Sequence, residues 1–243
     1  MAHCYHLPAA ADAAAGDVVV LEGAEAQHAA VARLRAGERV LLTSGDGRLA
    51  EAQVLQSERR RTELRIDAVR DVSAHSPRLT LVQALAKGER AEIAIASATE
   101  LGVDRIVPWQ AERSIVQWRG DRAEKGVAKW SAAALEASKQ AIRAHVPEVL
   151  PVIDTDAVAG LAPTLIILDP QGDTAIHDVP VDRDIAIVVG PEGGISPAEL
   201  EAFAADGALR VRLGREVLRT STAGLAAIAA LSPRLGRWVD SGP

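Results

Sequence analysis

Aromatic side chains are scarce in this chain: its 243 residues include four Trp, one Tyr and one Phe. The interior must be built from Ala, Val, Leu and Ile, and aromatic platforms are excluded as the main route to nucleic acid. Cysteine is nearly absent as well. With Cys4 alone there is no internal disulfide and no thiolate metal cluster, which fits a reducing compartment, the cytoplasm by default. Long apolar runs are missing. The longest, around 79–86 and 223–231, fall short of the roughly 20 residues that span a bilayer, and no basic-then-apolar leader is visible. A soluble protein without a membrane partner is expected. Excess positive charge is lacking too, since the formal net charge of −6 argues against a general polyanion binder.

The distribution of charge says more than its sum. Residues 1–75 carry −2, 76–146 carry +3 and 147–243 carry −7, so only the middle third is basic. Arg outnumbers Lys 23 to 4, which suits forked hydrogen bonding to phosphates or base edges and equally suits a GC-rich genome.

Short alternating or β-branched stretches occupy residues 17–21, 38–43, 50–56 and 63–69, broken by Gly16, Gly37 and the turn at 44–47. Closely spaced strands of this kind read as a small β-barrel or sandwich, with one helix over 24–34. The polar stretch from Ser73 to Pro77 marks a domain boundary, giving an N-terminal domain of residues 1–74 and a second domain of 75–243. In the second, strands and helices alternate. Strands are expected at 79–86, 105–109, about 149–153, 164–168, 185–189 and 209–213, and helices at 89–101, 125–144, 197–205 and from 220 to 231. This is the pattern of a mainly parallel α/β sheet covered on both faces. Ligands of such sheets sit outside the carboxyl ends of strands, where the turns after Leu168, Val189 and Leu213 fall.

Two of those turns stand out. Ile187 to Ser196 and Leu213 to Thr220 are each an apolar strand running into a glycine-bearing turn and then a helix start. Glycine allows positive φ and close backbone approach, so two neighbouring turns can clasp a small ligand with main-chain groups. Gly190-Pro191-Glu192-Gly193-Gly194 has neither the lysine ending of a P-loop nor the spacing of a dinucleotide fingerprint; taken alone it also reads as a tight strand-to-helix turn. Ser196, Pro197 and Glu199 spell a helix start with a capping box. The last helix is apolar nearly all round and needs a partner, either buried core or a second copy.

These turns, together with blocks upstream, resemble the bacterial family of 16S ribosomal RNA uracil-N3 methyltransferases of the SPOUT superfamily. The blocks are His28, Val31, Arg33, Gly37 and Glu38; Gln83 to Arg90; Ala98 to Val103; Glu112 to Ser114; Lys129-Trp130; Glu136 to Gln140 with Arg143 and Pro147; and Val217-Leu218-Arg219-Thr220. Their order and spacing span the chain. Ala32 for Leu and Glu38 for Asp are mild departures. The resemblance implies a PUA-like β-barrel joined to a trefoil-knotted, mostly parallel α/β domain, a homodimer, and S-adenosylmethionine as cofactor. By position it assigns Leu168, Gly190, Glu192, Gly193, Ile195, Leu213, Gly214, Val217 and Leu218 to the cofactor pocket, expected to be acidic and so tolerant of a sulfonium. The substrate implied is N3 of a uridine in 16S rRNA, and the weak overall basicity of the chain suggests structured RNA, an assembled small subunit, instead of free strands. A binding module that has lost catalysis, or an enzyme for another atom such as a ribose 2′-oxygen, are the alternatives.

Uracil N3 is nucleophilic only after losing its proton, so donors beside the carbonyl oxygens must spread the negative charge. Arg219 and Arg143 are the candidates, and Glu192 is the alternative as general base. No metal is required. A cation at a helix start, such as Arg219, is poorly placed for the helix dipole, which favours a ligand role over a surface salt bridge. Arg33, Arg35, Lys87, Arg90 and Arg113 are the expected phosphate partners. Arg59-Arg60-Arg61 is either a solvated turn or part of the same surface, and His28 and Gln140 are either packed or RNA-facing.

Overall fold

The computed structural model describes residues 3–87 and 90–238, with Arg90 as backbone only. It divides into two compact units, one running to Ala74 and joined by Leu135–Val146, the other made of His75–Ala134 and the chain from Pro147. The first unit is therefore discontinuous in sequence.

In the first unit the strands β1 (Cys4–His6), β2 (Val18–Leu21), β3 (Arg39–Thr43), β4 (Arg48–Glu58) and β5 (Arg61–Asp71) form one sheet, with helix α1 (Gly23–Val31) between β2 and β3. Strand order is β1-β3-β4-β5-β2. The long pair β4 and β5 is antiparallel with register shifts at Glu51/Ala52 and Val54/Gln56, irregularities that bend and twist a strand pair. β1, which was not anticipated, adds in parallel to β3. Leu21, Leu42, Val54, Leu64, Ile66 and Tyr5 fill the core, as the alternation along β4 and β5 requires. Burial pushes the Cys4 thiol up to about 11, with nearby Glu25 adding to the shift.

Helix α1 ends earlier than its apolar spacing suggests. Arg33 takes φ +57°, and the Leu34 N–H reaches the Ala29 carbonyl at 3.2 Å, the hydrogen bond of a Schellman cap. The same cap ends α3 (Asp121–Gln140). Ile142 adopts φ +53°, the Arg143 N–H donates to Ser138 O at 2.9 Å, and the Ile142 N–H to Lys139 O at 3.2 Å. The expected helix over 125–144 thus starts and stops four residues earlier, and Arg143 lies beyond its end.

In the second unit β6 (Leu79–Ala84), β7 (Arg105–Trp109), β8 (Glu148–Val149), β9 (Thr164–Leu168), β10 (Thr174–Ala175), β11 (Ile185–Val189) and β12 (Leu209–Arg212) form a seven-stranded sheet in the order β10-β12-β9-β11-β6-β7-β8. Every pairing is parallel. Side chains alternate between two cores. Leu79, Leu81, Ile106, Ile166, Ile185, Ile187 and Val189 meet α2 (Arg90–Glu100), α3 and α5 (Thr220–Leu231). Val82, Val107, Trp109, Leu165, Ile167, Ala186 and Val188 pack with Phe203 of α4 (Pro197–Ala205). β9 opens a new side of the sheet and β11 then fills the gap beside β6, so the strand order reverses there. From β12 the chain returns to lie as α5 against α2, β11 and β6.

Helix α5 buries Ala223, Gly224, Ala227, Ile228 and Leu231, so one face of this apolar helix is core of its own unit. Arg237 closes the unit from the C-terminal side. Its buried guanidinium pairs with Asp104 at 2.6 Å and donates to the carbonyls of Gly102 and Pro77.

In the first unit Lys139 is buried and paired with Glu25 at 2.7 Å and with the more exposed Glu136 at 2.8 Å. Burial alone lowers its pKa, but hydrogen bonds to Glu136 and Glu25 outweigh that and the net shift is upward. Lys139 therefore stays charged at neutral pH, and the contribution of its raised pKa is lost as pH rises above the ordinary lysine range. Removing one partner of a buried pair leaves an uncompensated charge. Glu25→Ala is expected to cost about 3 kcal/mol in urea unfolding at pH 7, and Glu25→Leu with Lys139→Met to recover most of it. Equal stability of Glu25→Ala and the parent would show that the pair carries nothing.

Candidate cofactor-binding site

The three turns that follow β9, β11 and β12 converge at the carboxyl end of the sheet. After β9, the Gly172 N–H donates to Asp169 O at 2.9 Å and the Gln171 N–H to Asp169 Oδ1 at 2.8 Å. After β11, the Gly194 N–H returns to Pro191 O at 2.9 Å. Gly194 has φ +73°, which explains one glycine of the motif. Gly190 is explained by contact: a Cβ there would sit 2.7 Å from Ile195 Cγ1, too close for any other residue.

What fixes the second turn is buried polar chemistry. The Ser196 side chain accepts from the Glu199 N–H at 3.2 Å, while the Ser196 N–H donates to Glu199 Oε2 at 2.9 Å, so the expected capping box is present. Glu199, buried, goes further. Its Oε1 accepts the Glu112 N–H at 2.8 Å and the Thr155 hydroxyl at 3.0 Å, and Thr155 in turn accepts from Trp109 Nε1 at 3.2 Å. One carboxylate thereby holds the start of α4 to the loop beyond β7 and to the approach of β9.

The third turn is tied to the second through Thr220. Its hydroxyl donates to Gly190 O at 2.7 Å and accepts from Gln83 Nε2 at 3.0 Å. Gln83 is buried in the sheet, and its Oε1 has no hydrogen-bond partner among the described residues.

Between these turns lies a cavity of about 820 Å³ lined by Leu168, Asp169, Val189, Gly190, Glu192, Ile195, Val217, Leu218, Arg219 and Thr220 among others, a size within the range of small-molecule sites. Leu213 and Gly214 line a smaller adjoining recess with Leu168, Glu216 and Leu218. Of the nine expected pocket positions, Gly193 alone lines neither. It packs beside Arg113, whose Cβ would stand 3.2 Å from an added Cβ and whose Nη1 donates to Gly193 O at 3.3 Å.

The pocket is not simply acidic. Asp169 and Glu192 are accompanied by Arg210 and Arg219, and Asp169 is engaged by Arg210 at 2.6 Å. Among the described residues no carboxylate lies within ion-pair distance of Arg219, which forms the N-terminal boundary of α5 without a side-chain cap. Arg143 lies in the first unit, where its carbonyl accepts the Thr43 hydroxyl at 2.9 Å, and it lines neither recess.

Of the expected phosphate partners, Arg33 and Arg35 are exposed in the first unit, Lys87 and Arg113 are exposed in the second, and the Arg90 side chain lies outside the described residues. Arg59 and Arg60 line a shallow groove with Val31 and Gln27. His28 meets Tyr5 edge-on at 5.3 Å. Sequence reasoning gave no site role to Asp169 and Arg210, nor to Gln83 and Thr220, which it named only as members of the family blocks. Asp169-Pro170-Gln171-Gly172 is as clear a turn signal as the other two, whereas nothing local marks Gln83.

The donors suit a ligand held by main chain. Among the described residues, the N–H groups of residues 214–218 meet no backbone acceptor, and exposed Val217 and Leu218 offer apolar cover beside them. A parallel sheet with a pocket of backbone turns at its switch point defines a class of small-molecule-binding α/β protein. A family model described as RNA methyltransferase domain matches residues 74–232, and one described as RNA methyltransferase PUA domain matches residues 21–67. Ribosomal RNA small subunit methyltransferase E of Mycobacterium bovis is 40% identical over 92% of this chain and 89% of its own length. The protein of the same name from Bacillus subtilis is 28% identical over 87% and 88%. A crystal structure of ribosomal RNA small subunit methyltransferase E from Neisseria gonorrhoeae bound to S-adenosyl methionine superposes with a TM-score of 0.88 at 32% identity, over 96% of this chain and 98% of that one. This chain belongs to the ribosomal RNA small subunit methyltransferase E family.

Replacing Glu199 by Ala removes the carboxylate half of the capping box and two further part-buried acceptor contacts at once. Caps alone are worth about 1 kcal/mol and each orphaned buried donor about 1–3 kcal/mol, so an unfolding midpoint lowered by several degrees is expected. A variant as stable as the parent would mean that the network does not hold the turns.

Proposed function

We propose that this chain methylates N3 of a uridine in the RNA of the small ribosomal subunit, using S-adenosylmethionine held by the turns after β9, β11 and β12. The observation that carries the reading is the pair of glycine turns joined through Thr220 around one cavity. Bound there, the cofactor supplies an electrophilic methyl group on a sulfonium.

The residues fit that ligand. Backbone amides of the third turn answer the acceptor nitrogens of an adenine, with Leu168, Leu213, Val217 and Leu218 as its apolar walls. Gly190, Glu192, Gly193, Gly214 and Ile195 shape the remainder. Asp169 and Glu192 balance a sulfonium, while Arg210 keeps Asp169 from adding uncompensated charge. Arg219, which lines the pocket without a carboxylate partner among the described residues, stabilises negative charge on the uracil carbonyl oxygens as N3 loses its proton. Arg143 is a second candidate for that role, and Glu192 is positioned to take the proton if a general base is used. Orientation of two reactants supplies much of the remaining acceleration.

The target uridine must be unpaired or flipped out to reach such a site. Arg33, Arg35, Lys87, Arg90 and Arg113 are the proposed phosphate contacts, and an acidic protein with localised cations suits the shaped RNA of an assembled subunit better than free strands. The homodimer and the knotted passage of the C-terminal segment belong to the same reading. Among the described residues no helix is long and apolar enough to cross a membrane, and a cytoplasmic site of action accords with the substrate.

Calorimetric titration with S-adenosylmethionine, with mass spectrometry of rRNA nucleosides from a deletion strain with and without the gene restored, tests the reading. Cofactor binding and loss of 3-methyluridine are expected; an unchanged nucleoside profile would refute the substrate. Arg219→Ala should lower kcat by about 100-fold while cofactor affinity stays within about threefold of the parent. A parent-like rate would move the role to Arg143 or Glu192.

A further inference from the structure

A second cavity, of about 420 Å³, opens at the carboxyl ends of β6 and β7, on the same edge of the sheet as the cofactor site. Its base is apolar, with Leu85 and Trp130 buried and Val116 and Trp118 half-buried. Its rim is cationic. Arg122, Lys125 and Lys129 line it from α3, spaced so that all three share one helix face.

Trp118 is held in place from several sides. Its N–H donates to Gln110 Oε1 at 3.0 Å, and Gln110 Nε2 donates to Val116 O at 3.1 Å. Its ring meets that of Trp130 edge-on at 5.1 Å. At Gly126 a Cβ would lie 2.5 to 2.7 Å from three atoms of the Trp118 ring, so glycine in mid-helix is what lets the indole lie against α3. A glycine there costs helix stability, about 1 kcal/mol against alanine, and the seat for Trp118 offsets it.

Among the described residues the cations are only partly balanced. Lys129 pairs with Glu92 at 2.7 Å, but among the described residues no carboxylate is within ion-pair distance of Arg122 or Lys125. Like charges three apart on a helix repel, and an anion between them removes that cost. An indole beside unpaired cations is the combination that binds unpaired nucleotides, the cations taking the phosphate and the ring taking the base.

We propose that this cavity binds one unpaired nucleotide of the substrate RNA flanking the target uridine, with its phosphate at Arg122 and Lys125 and its base against Trp118. β6 adjoins β11, and Arg113 of the loop beyond β7 donates to Gly193 O in the turn after β11. One strand of RNA entering along this edge meets both sites. The inference rests on the methyltransferase reading above.

The test is binding of unmethylated small ribosomal subunits by the parent, by Arg122→Ala/Lys125→Ala and by Trp118→Leu, across a salt series and alongside methylation. Both cations are exposed, so the double variant should fold, with parent-like melting and S-adenosylmethionine affinity. The double variant is expected to bind subunits at least about tenfold more weakly. Its plot of log affinity against log salt should be flatter by about 0.7 for each phosphate no longer neutralised, a change that mere loosening of the fold does not produce. Trp118→Leu should weaken binding by about tenfold with the salt slope unchanged. Parent-like affinity and slope in the double variant would overturn the inference, as would a parent that binds no subunits. Should the parent bind subunits through these cations yet methylate nothing, the catalytic reading falls and this one stands.

Discussion

The geometry of the proposed cofactor site depends on one hydroxyl. Thr220 Oγ1 donates to the carbonyl of Gly190 and accepts from Gln83, so a single side chain fixes the start of the last helix to the first glycine turn and both to the middle of the sheet. The two turns come from strands that are not neighbours, since β9 lies between β11 and β12. Without a direct link their separation would vary with every breathing motion of the strand between them. A pocket that recognises its ligand with main-chain amides tolerates little of that, because amides move only with their backbone. The buried, unpartnered Gln83 Oε1 is part of the same arrangement: the amide group spends its donor on Thr220.

Glu199 performs the complementary task at the other end of the turn. A carboxylate that accepts from Ser196, Glu112 and Thr155 is fully used, which is the condition under which burying a charge is tolerable. It ties the turn after β11 to the loop beyond β7 and to the approach of β9, beneath Gly190 and Gly194, which line the pocket. Rigid polar anchors beneath and glycines above are two halves of one solution.

Much of this was legible in the sequence, and the exceptions are instructive. The parallel sheet, the turn positions and the capping box follow from periodicity and local hydrogen-bonding chemistry, which act over a few residues. Helix ends at Arg33 and Ile142 were not foreseen because a left-handed, non-glycine residue carries no compositional mark. Gln83 was named in a family block but given no role, because a polar residue in an apolar strand acquires meaning only from what the fold sets opposite it, 137 positions away. Asp169 was missed for a different reason. It was readable as a turn residue, but its pairing with Arg210, which alters the charge of the pocket, depends on strand order.

Strand order also reconciles an acidic protein with an RNA substrate. A net charge of −6 describes the field at a distance, where salt screens it within about 10 Å; contacts are decided by the charges at the surface that docks. Asp169, Asp104 and Glu199 are each committed to partners inside the fold, so part of the acidic total never faces a ligand. Arg219, Arg122 and Lys125 have no carboxylate partner among the described residues and all follow or face the carboxyl ends of strands. On the proposed function, acidic residues spent on structure and basic residues left for contact make a surface that repels polyanions in general and admits one that brings its phosphates to these positions.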